Sequence, residues 1–292
     1  MAGFQTALTI GLVCAVAEAL DGAPSETGWI GNDPAQPPVP VVSEPMPVAR
    51  TKGRVPPAPA PKPRPAPPSA PFTAWPEENA GEGAADKRAR LGADLATAGQ
   101  AVAVLTLPDS IAWLLNIRGS DVERNPVPQA FALLFADGRV DLFCLPGKAD
   151  AIADHLGADV AILPQDGFLA ALAQLSGPAR IDPKSAPEVV RTTLADAGAT
   201  IAEGADPCLL PKARKNAVEI EGTAEAHLRD AGAMVELLAW LDAQTPGTVT
   251  EIEVVKQLET RRRQDNALQD ISFETISGSG PNGAIMHYRV TE

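Results

Sequence analysis

Phe131-Ala-Leu-Leu-Phe-Ala-Asp-Gly-Arg-Val-Asp-Leu-Phe143 is the stretch that decides how this chain folds. Apolar residues alternate on both sides of Ala136-Asp137-Gly138, and Asp-Gly between two such runs is a hairpin-turn signal. Upstream, Asp86 to Ala98 reads as a helix with Leu91, Leu95 and Ala98 on one face. Ala101 to Leu105 then reads as a short buried strand, and Pro108-Asp109-Ser110 opens another helical turn. Downstream the pattern predicts a helix near Lys148 to Leu156, a strand over Val160 to Leu163 and a helix near Gly167 to Leu175. A strand over Ala179 to Asp182 and a helix from Pro187 to Ala197 come next. Helices and strands alternate throughout, so the fold class is α/β.

Pro207 to Pro211 makes a natural boundary. Beyond it, Lys215 to Ala243 reads as one long helix with Leu228, Ala231, Val235 and Leu238 at helical spacing. After Thr245-Pro246-Gly247, Thr250 and Glu253 form a capping-box pattern opening a second helix, whose Ile252, Val255 and Leu258 should point inward. Arg261-Arg262-Arg263 near its end reads as a solvated helix terminus, where cations suit the dipole. Ile271 to Ile276 and Ala284 to Tyr288 then read as strands joined by a glycine-rich turn, the start of a second α/β domain.

Ahead of all this lies a different texture. Residues 34 to 76 carry 16 of the 29 prolines, with Pro56 to Pro65 running Pro-Pro-Ala-Pro-Ala-Pro-Lys-Pro-Arg-Pro. Proline removes a backbone donor and fixes φ, so neither helix nor central strand can run through it. The expected division is a proline-rich, disordered, low-complexity segment over 1–76, an α/β domain over 77–210, and an incomplete second domain over 211–292. The apolar start, Thr6 to Leu20, lacks a preceding Lys or Arg, and Glu18 interrupts its end. It is too short to span a bilayer, so the reading is a cytoplasmic protein with no membrane partner.

Composition narrows the functions. A net charge of −13 argues against a nucleic-acid partner, because phosphate binding draws on clustered Lys and Arg. Cys14, Cys144 and Cys208 lie far apart with no CxxC spacing and read as small apolar residues. His155 and His227 show no metal-ligand spacing and read as surface or boundary residues. Gly278-Ser-Gly-Pro-Asn-Gly283 matches GxGxxG literally, but a dinucleotide fingerprint needs a helix immediately after it. Ala284 to Val290 is strand-like instead, so the glycine run reads as a strand-to-strand loop. Arg118 reads as an ion-pair partner of Asp121 or Asp109. From its surroundings alone His287 reads as a satisfied core histidine.

Three motifs in consistent order point to a family. Asp109-Ser-Ile-Ala-Trp-Leu-Leu-Asn-Ile-Arg-Gly-Ser-Asp121 resembles the signature of the middle, creatinase-like domain of Xaa-Pro aminopeptidases. Asp206-Pro-Cys-Leu-Leu-Pro-Lys-Ala-Arg-Lys-Asn216 is similar to their junction into the catalytic domain. Asp270 to Tyr288, through Ile-Ser-Gly-Ser-Gly-Pro-Asn-Gly-Ala-Ile-Met-His, resembles the segment leading to their substrate-binding histidine. The resemblance implies a pita-bread catalytic domain with two divalent metals, usually manganese, held by two Asp, one His and two Glu. It further implies peptide substrates with proline second, and a homo-oligomer. It assigns His287 a substrate contact and Phe273 a place lining the site. The family's metal ligands lie downstream of the histidine, and only five residues come after His287. The expectation is therefore a chain without metals of its own and inactive alone. The alternatives are a non-catalytic oligomerisation or interaction fragment, and a creatinase- or prolidase-type relative.

Overall fold

A computed structural model of the chain describes residues 65–264 and 266–291. The apolar start, Cys14 and the proline-rich segment as far as residue 64 lie outside the described residues. In chain order the elements are β1 (Thr73–Ala74), α1 (Glu77–Ala80), α2 (Ala84–Thr97), β2 (Val102–Leu105), α3 (Pro108–Leu115) and β3 (Ile117–Arg118). Next come β4 (Phe131–Phe135), β5 (Val140–Cys144), a 3-10 turn (Asp150–Ile152), α4 (Ala153–Leu156), β6 (Val160–Pro164) and α5 (Phe168–Leu172). The chain continues with β7 (Ala179–Ile181), α6 (Glu188–Asp196), β8 (Ile201–Glu203), α7 (Leu209–Ala213), α8 (Ala217–Asp242) and α9 (Glu251–Arg262).

The hairpin forms as its sequence predicts. Phe131 pairs with Phe143 and Leu134 with Val140, and Gly138 takes φ +86° at the turn, where a side chain would be strained. It occupies the interior of a six-stranded sheet of order β6-β5-β4-β2-β7-β8. β4 runs antiparallel to both β5 and β2, while β6, β7 and β8 join in parallel. Parallel neighbours need crossovers, and the short helices supply them.

Period-2 alternation then sorts the strand side chains into two cores. Ala103, Leu105, Ala132, Leu134, Val140 and Leu142 face Leu91, Leu95, Ile111 and Leu115 of α2 and α3. Val102, Val104, Leu133, Phe143, Ala179 and Ile181 face Phe168 and Leu172 of α5 and Val190 and Leu194 of α6. Phe168 stacks on Phe131 at 4.5 Å between ring centroids and meets Phe143 edge-on at 5.4 Å. The result is three layers with the sheet between helices.

The packed chain begins earlier than residue 77. Phe72 is buried in the first core, and β1 pairs with β3 antiparallel. The fastening is Lys148, expected in a helix but placed ahead of the 3-10 turn and fully buried. Its ammonium pairs with Asp121, donates to the Pro68 carbonyl at 3.2 Å and lies 4.9 Å from the centre of the Phe72 ring. A buried ammonium needs such partners, and short-range pattern does not reveal them.

Beyond the sheet, α8 and α9 form a helical hairpin. Both open with capping boxes, Asn216 with Glu219 and Thr250 with Glu253. Leu237 and Leu241 of α8 bury against Val254 and Leu258 of α9. The stripe singled out by spacing faces outward instead: Leu228 is 74% exposed and Val235 64%. On α9, Leu258 is buried as expected, while the fully buried partner is Val254, with Ile252 and Val255 half-buried. The arginine run is not a free helix end. Arg262 makes a two-pronged pair with Asp230 of α8 at 2.5 and 3.0 Å, and Arg261 lies over Trp240.

Among the described residues after α9 there is no strand. The segments expected as strands, Ile271 to Ile276 and Ala284 to Tyr288, run as irregular chain with a 3-10 turn over Gly280–Ala284. A lone strand has no ladder to satisfy its backbone groups; here Ile271 N–H bonds the Asp270 side chain, and the Ile285 and Tyr288 N–H groups close turns.

Candidate functional site

The glycine-rich loop is anchored at the start of α9. Thr250 caps the helix, which leaves Glu251 as its first residue with a carboxylate free to reach sideways. That carboxylate accepts from the Ser279 N–H at 2.6 Å, from Asn282 Nδ2 at 3.1 and 3.2 Å, and from the Tyr288 hydroxyl at 2.6 Å. Asn282 Nδ2 also donates to the Tyr288 oxygen at 3.0 Å. Burial opposes ionisation of Glu251, but the bonds from Tyr288, Ser279 and Asn282 outweigh it and hold its carboxyl below the usual range. The same bond, with burial second, lifts the Tyr288 phenol above its ordinary value. The loop folds tightly on itself: a Cβ on Gly278 would stand 3.1 Å from the Asn282 carbonyl oxygen.

His287 sits at the end of this loop, exposed, with φ +54°. It is therefore not the buried histidine that its apolar neighbours suggest. Phe273 is exposed as well, at 40%. The GxGxxG stretch ends in a 3-10 turn, with neither the helix a dinucleotide needs nor the flanking strands expected of it. Glu251, which gathers the loop, goes unmarked in the sequence. Its only signal is its place inside the Thr250–Glu253 capping box.

The other two motifs are structural joints. Asp109 pairs with Lys212 of α7, and Asp121 pairs with Lys148, so neither binds Arg118 as the sequence suggests. Arg118 lies 4.5 Å over the Trp75 ring and donates to the Ile117 carbonyl, and burial lowers its pKa to about 10. Lys87 is buried beside it, donating to the Trp113 carbonyl at 3.1 Å and to Asn116 Oδ1 at 2.7 Å. Burial pushes its ammonium down to about 8. In the junction motif, Asp206 takes the Cys208 N–H at 2.7 Å and gives its own to Asp182 at 2.9 Å. Asn216 then ties the start of α8 to the Ala80 carbonyl at 2.8 Å.

Cys144 and Cys208 are buried free thiols, and burial raises both pKa values. His155 meets the Leu115 carbonyl at 3.0 Å. A cleft of about 560 Å³ over the sheet, lined by Leu133, Phe135, Arg139, Asp141 and Leu175, includes neither Phe273 nor His287. A pair of divalent cations needs several carboxylates and a histidine converging. Among the described residues no three His, Cys, Asp or Glu side chains converge in that way, so these residues do not fit a metal pair.

Residues 63–219 match the family described as the creatinase/prolidase N-terminal domain, more than half of the chain. The chain belongs to that family. Its creatinase/prolidase-type domain is followed, over residues 221–292, by a match to metallopeptidase family M24. A probable Xaa-Pro aminopeptidase P from Talaromyces stipitatus is 34% identical over 235 residues, covering 76% of this chain and 36% of the relative. One from Laccaria bicolor is 37% identical over 218 residues, covering 72% and 34%. The crystal structure of X-prolyl aminopeptidase from Caenorhabditis elegans, a cytosolic enzyme with a di-nuclear active site, matches with TM-score 0.64 at 25% identity. That match covers 72% of this chain and 36% of the enzyme. The creatinase/prolidase-family chain thus spans about a third of the length of the relatives it matches. Its fold is a creatinase-like α/β domain followed by the start of an M24 domain. No helix of the described residues is long and apolar enough to cross a membrane.

Proposed function

We propose that this chain supplies the creatinase-like domain and the substrate loop of a metal-dependent Xaa-Pro aminopeptidase, which releases an N-terminal residue that precedes proline. The observation that supports this most is the presentation of His287: an exposed imidazole on a loop whose sequence resembles the family's substrate-contacting segment. An imidazole N–H there donates to a bound peptide carbonyl, where negative charge grows during attack. Phe273 offers an apolar wall for the substrate. The described residues give no metal cluster, so neither a metal pair, manganese included, nor peptide cleavage is expected of them. Elemental analysis after manganese loading, with an Xaa-Pro peptide assay on the same sample, tests this. Stoichiometric metal together with proline-specific cleavage would overturn it.

The role of His287 has its own test. In a chain extended by the remaining M24 region of the Talaromyces stipitatus relative, His287→Ala is expected to lower turnover while fold and bound metal persist. Matched losses of melting temperature and metal would instead make His287 a packing residue.

One observation favours a second reading, a self-associating module. The outward stripe on α8, with Leu228 and Val235, is apolar surface of the kind that marks interfaces. A homo-oligomer would form through that stripe, and sedimentation of variants in it tests this.

A further inference from the structure

The loop that carries His287 is closed by short backbone turns, with Asn282 N–H bonded to the Ser279 carbonyl and Ile285 N–H to that of Asn282. Residues 278 to 283 include three glycines, which contribute no side chains to pack and lose much backbone freedom on ordering. His287 adopts a left-handed backbone conformation that non-glycine residues disfavour, so neighbouring contacts must maintain it. Among the described residues its imidazole has no hydrogen-bond partner. What ties the loop to α9 on both sides of the histidine is a single carboxylate, while Arg289 beyond it pairs with Glu274 at 3.6 Å. Glu251 takes the Ser279 N–H and Asn282 amide ahead of the histidine and the Tyr288 hydroxyl immediately after it. Helix N-termini favour a negative charge at that position, and hydrogen bonds to an ionised acceptor are stronger than neutral ones.

We infer that Glu251 is a positioning residue for His287: it clamps the glycine-rich loop to the first turn of α9 and so sets where the imidazole points. This rests on the proposed role of His287 as a substrate contact. Glu251 touches neither the substrate nor the reacting atoms and acts only through the loop. Asn282 braces the clamp, because its amide reaches both the Glu251 carboxylate and the Tyr288 oxygen. The depressed Glu251 carboxyl and the raised Tyr288 phenol agree with this geometry.

The test uses the whole chain and its scarce reporters. Tyr288 is its sole tyrosine, and His287 is one of three histidines, assignable by comparison with His287→Ala. In the parent, absorbance titration of Tyr288 is expected above the ordinary tyrosine value of about 10. In Glu251→Ala it returns to about 10, and the imidazole resonances of His287 collapse to a rotamer-averaged signal. Glu251→Gln keeps an acceptor for the Ser279 N–H, so it is expected to restore part of the His287 order. That partial rescue guards against a general folding defect in the alanine variant. In the extended chain, Glu251→Ala lowers kcat at least about tenfold with little change in KM, as misplacement of a contacting group does.

An unmoved Tyr288 titration in Glu251→Ala would mean that the clamp does not exist. A shifted Tyr288 with unchanged His287 resonances would reduce Glu251 to a local brace and overturn the positioning role. Full turnover of His287→Ala in the extended chain would sink the substrate role of His287 while leaving the clamp, read from Tyr288, intact.

Discussion

Lys87 is a buried cation held by groups at the end of α3. It lies on α2, a helix whose apolar face is legible, yet its own ammonium is buried among a carbonyl, an amide and the Trp113 ring. Its folded pKa of about 8 lies below the ordinary 10.5. Between those values the unfolded chain binds a proton that the folded chain has released, so the Lys87 contribution to stability rises with pH across that window. Lys87→Met has no such group. It is expected to cost about 1–3 kcal/mol at pH 10 through the lost Asn116 bond, and less at pH 7. Urea denaturation of both proteins at the two pH values measures this, and a cost that shrinks as pH rises would contradict it. Sequence proximity points Arg118 at Asp109 or Asp121, but those acids are claimed by Lys212 and Lys148 from distant segments. Ion-pair partners depend on tertiary approach, which spacing along the chain does not encode.

At the scale of the element, α8 carries apolar residues on two faces, and only one is covered. Periodicity locates the helix and one stripe, but not which stripe packs, because that depends on where α9 lies. Leu237→Ala is expected to destabilise the helical hairpin by about 2–5 kcal/mol, since the Leu237 side chain is buried against Val254 and Leu258. Leu228→Lys on the open stripe is expected to change stability by no more than about 0.5 kcal/mol. Combined with Val235→Lys, it should lower any concentration-dependent association seen by sedimentation velocity. Association that persists in the double variant would place the self-contact elsewhere. The missing strands belong to this scale too. Ile271 to Ile276 has a strand-like composition, yet composition cannot supply the neighbour that a strand must pair with. The Glu251 clamp shares that limit, since its donors lie 28 to 37 residues downstream in sequence.

For the whole molecule, the alternation of helices and strands is legible, because hydrophobic period reports it directly and both cores derive from it. The start of the packed region is not, because proline density hides the short stretch around Phe72 that the Lys148–Asp121 pair holds down. Asp121→Asn would leave the buried Lys148 ammonium without its counter-charge, at a cost of about 3–5 kcal/mol. Residues 68–74 should then be cut faster in limited proteolysis, and an unchanged digestion pattern would show that the pair does not fasten them. The position of the β4–β5 hairpin has a further consequence, for the order in which the chain folds. Its contacts are the most local in the sheet, whereas each parallel neighbour must close a longer loop before it gains anything. A hairpin at the margin could form late without obstructing the rest; one in the interior must precede the strands that dock on both sides. Gly138→Ala, which strains the turn at φ +86°, is therefore expected to slow refolding and leave the unfolding rate nearly unchanged. Stopped-flow refolding and unfolding rates across denaturant would decide it: an effect confined to unfolding would mean that the sheet nucleates elsewhere.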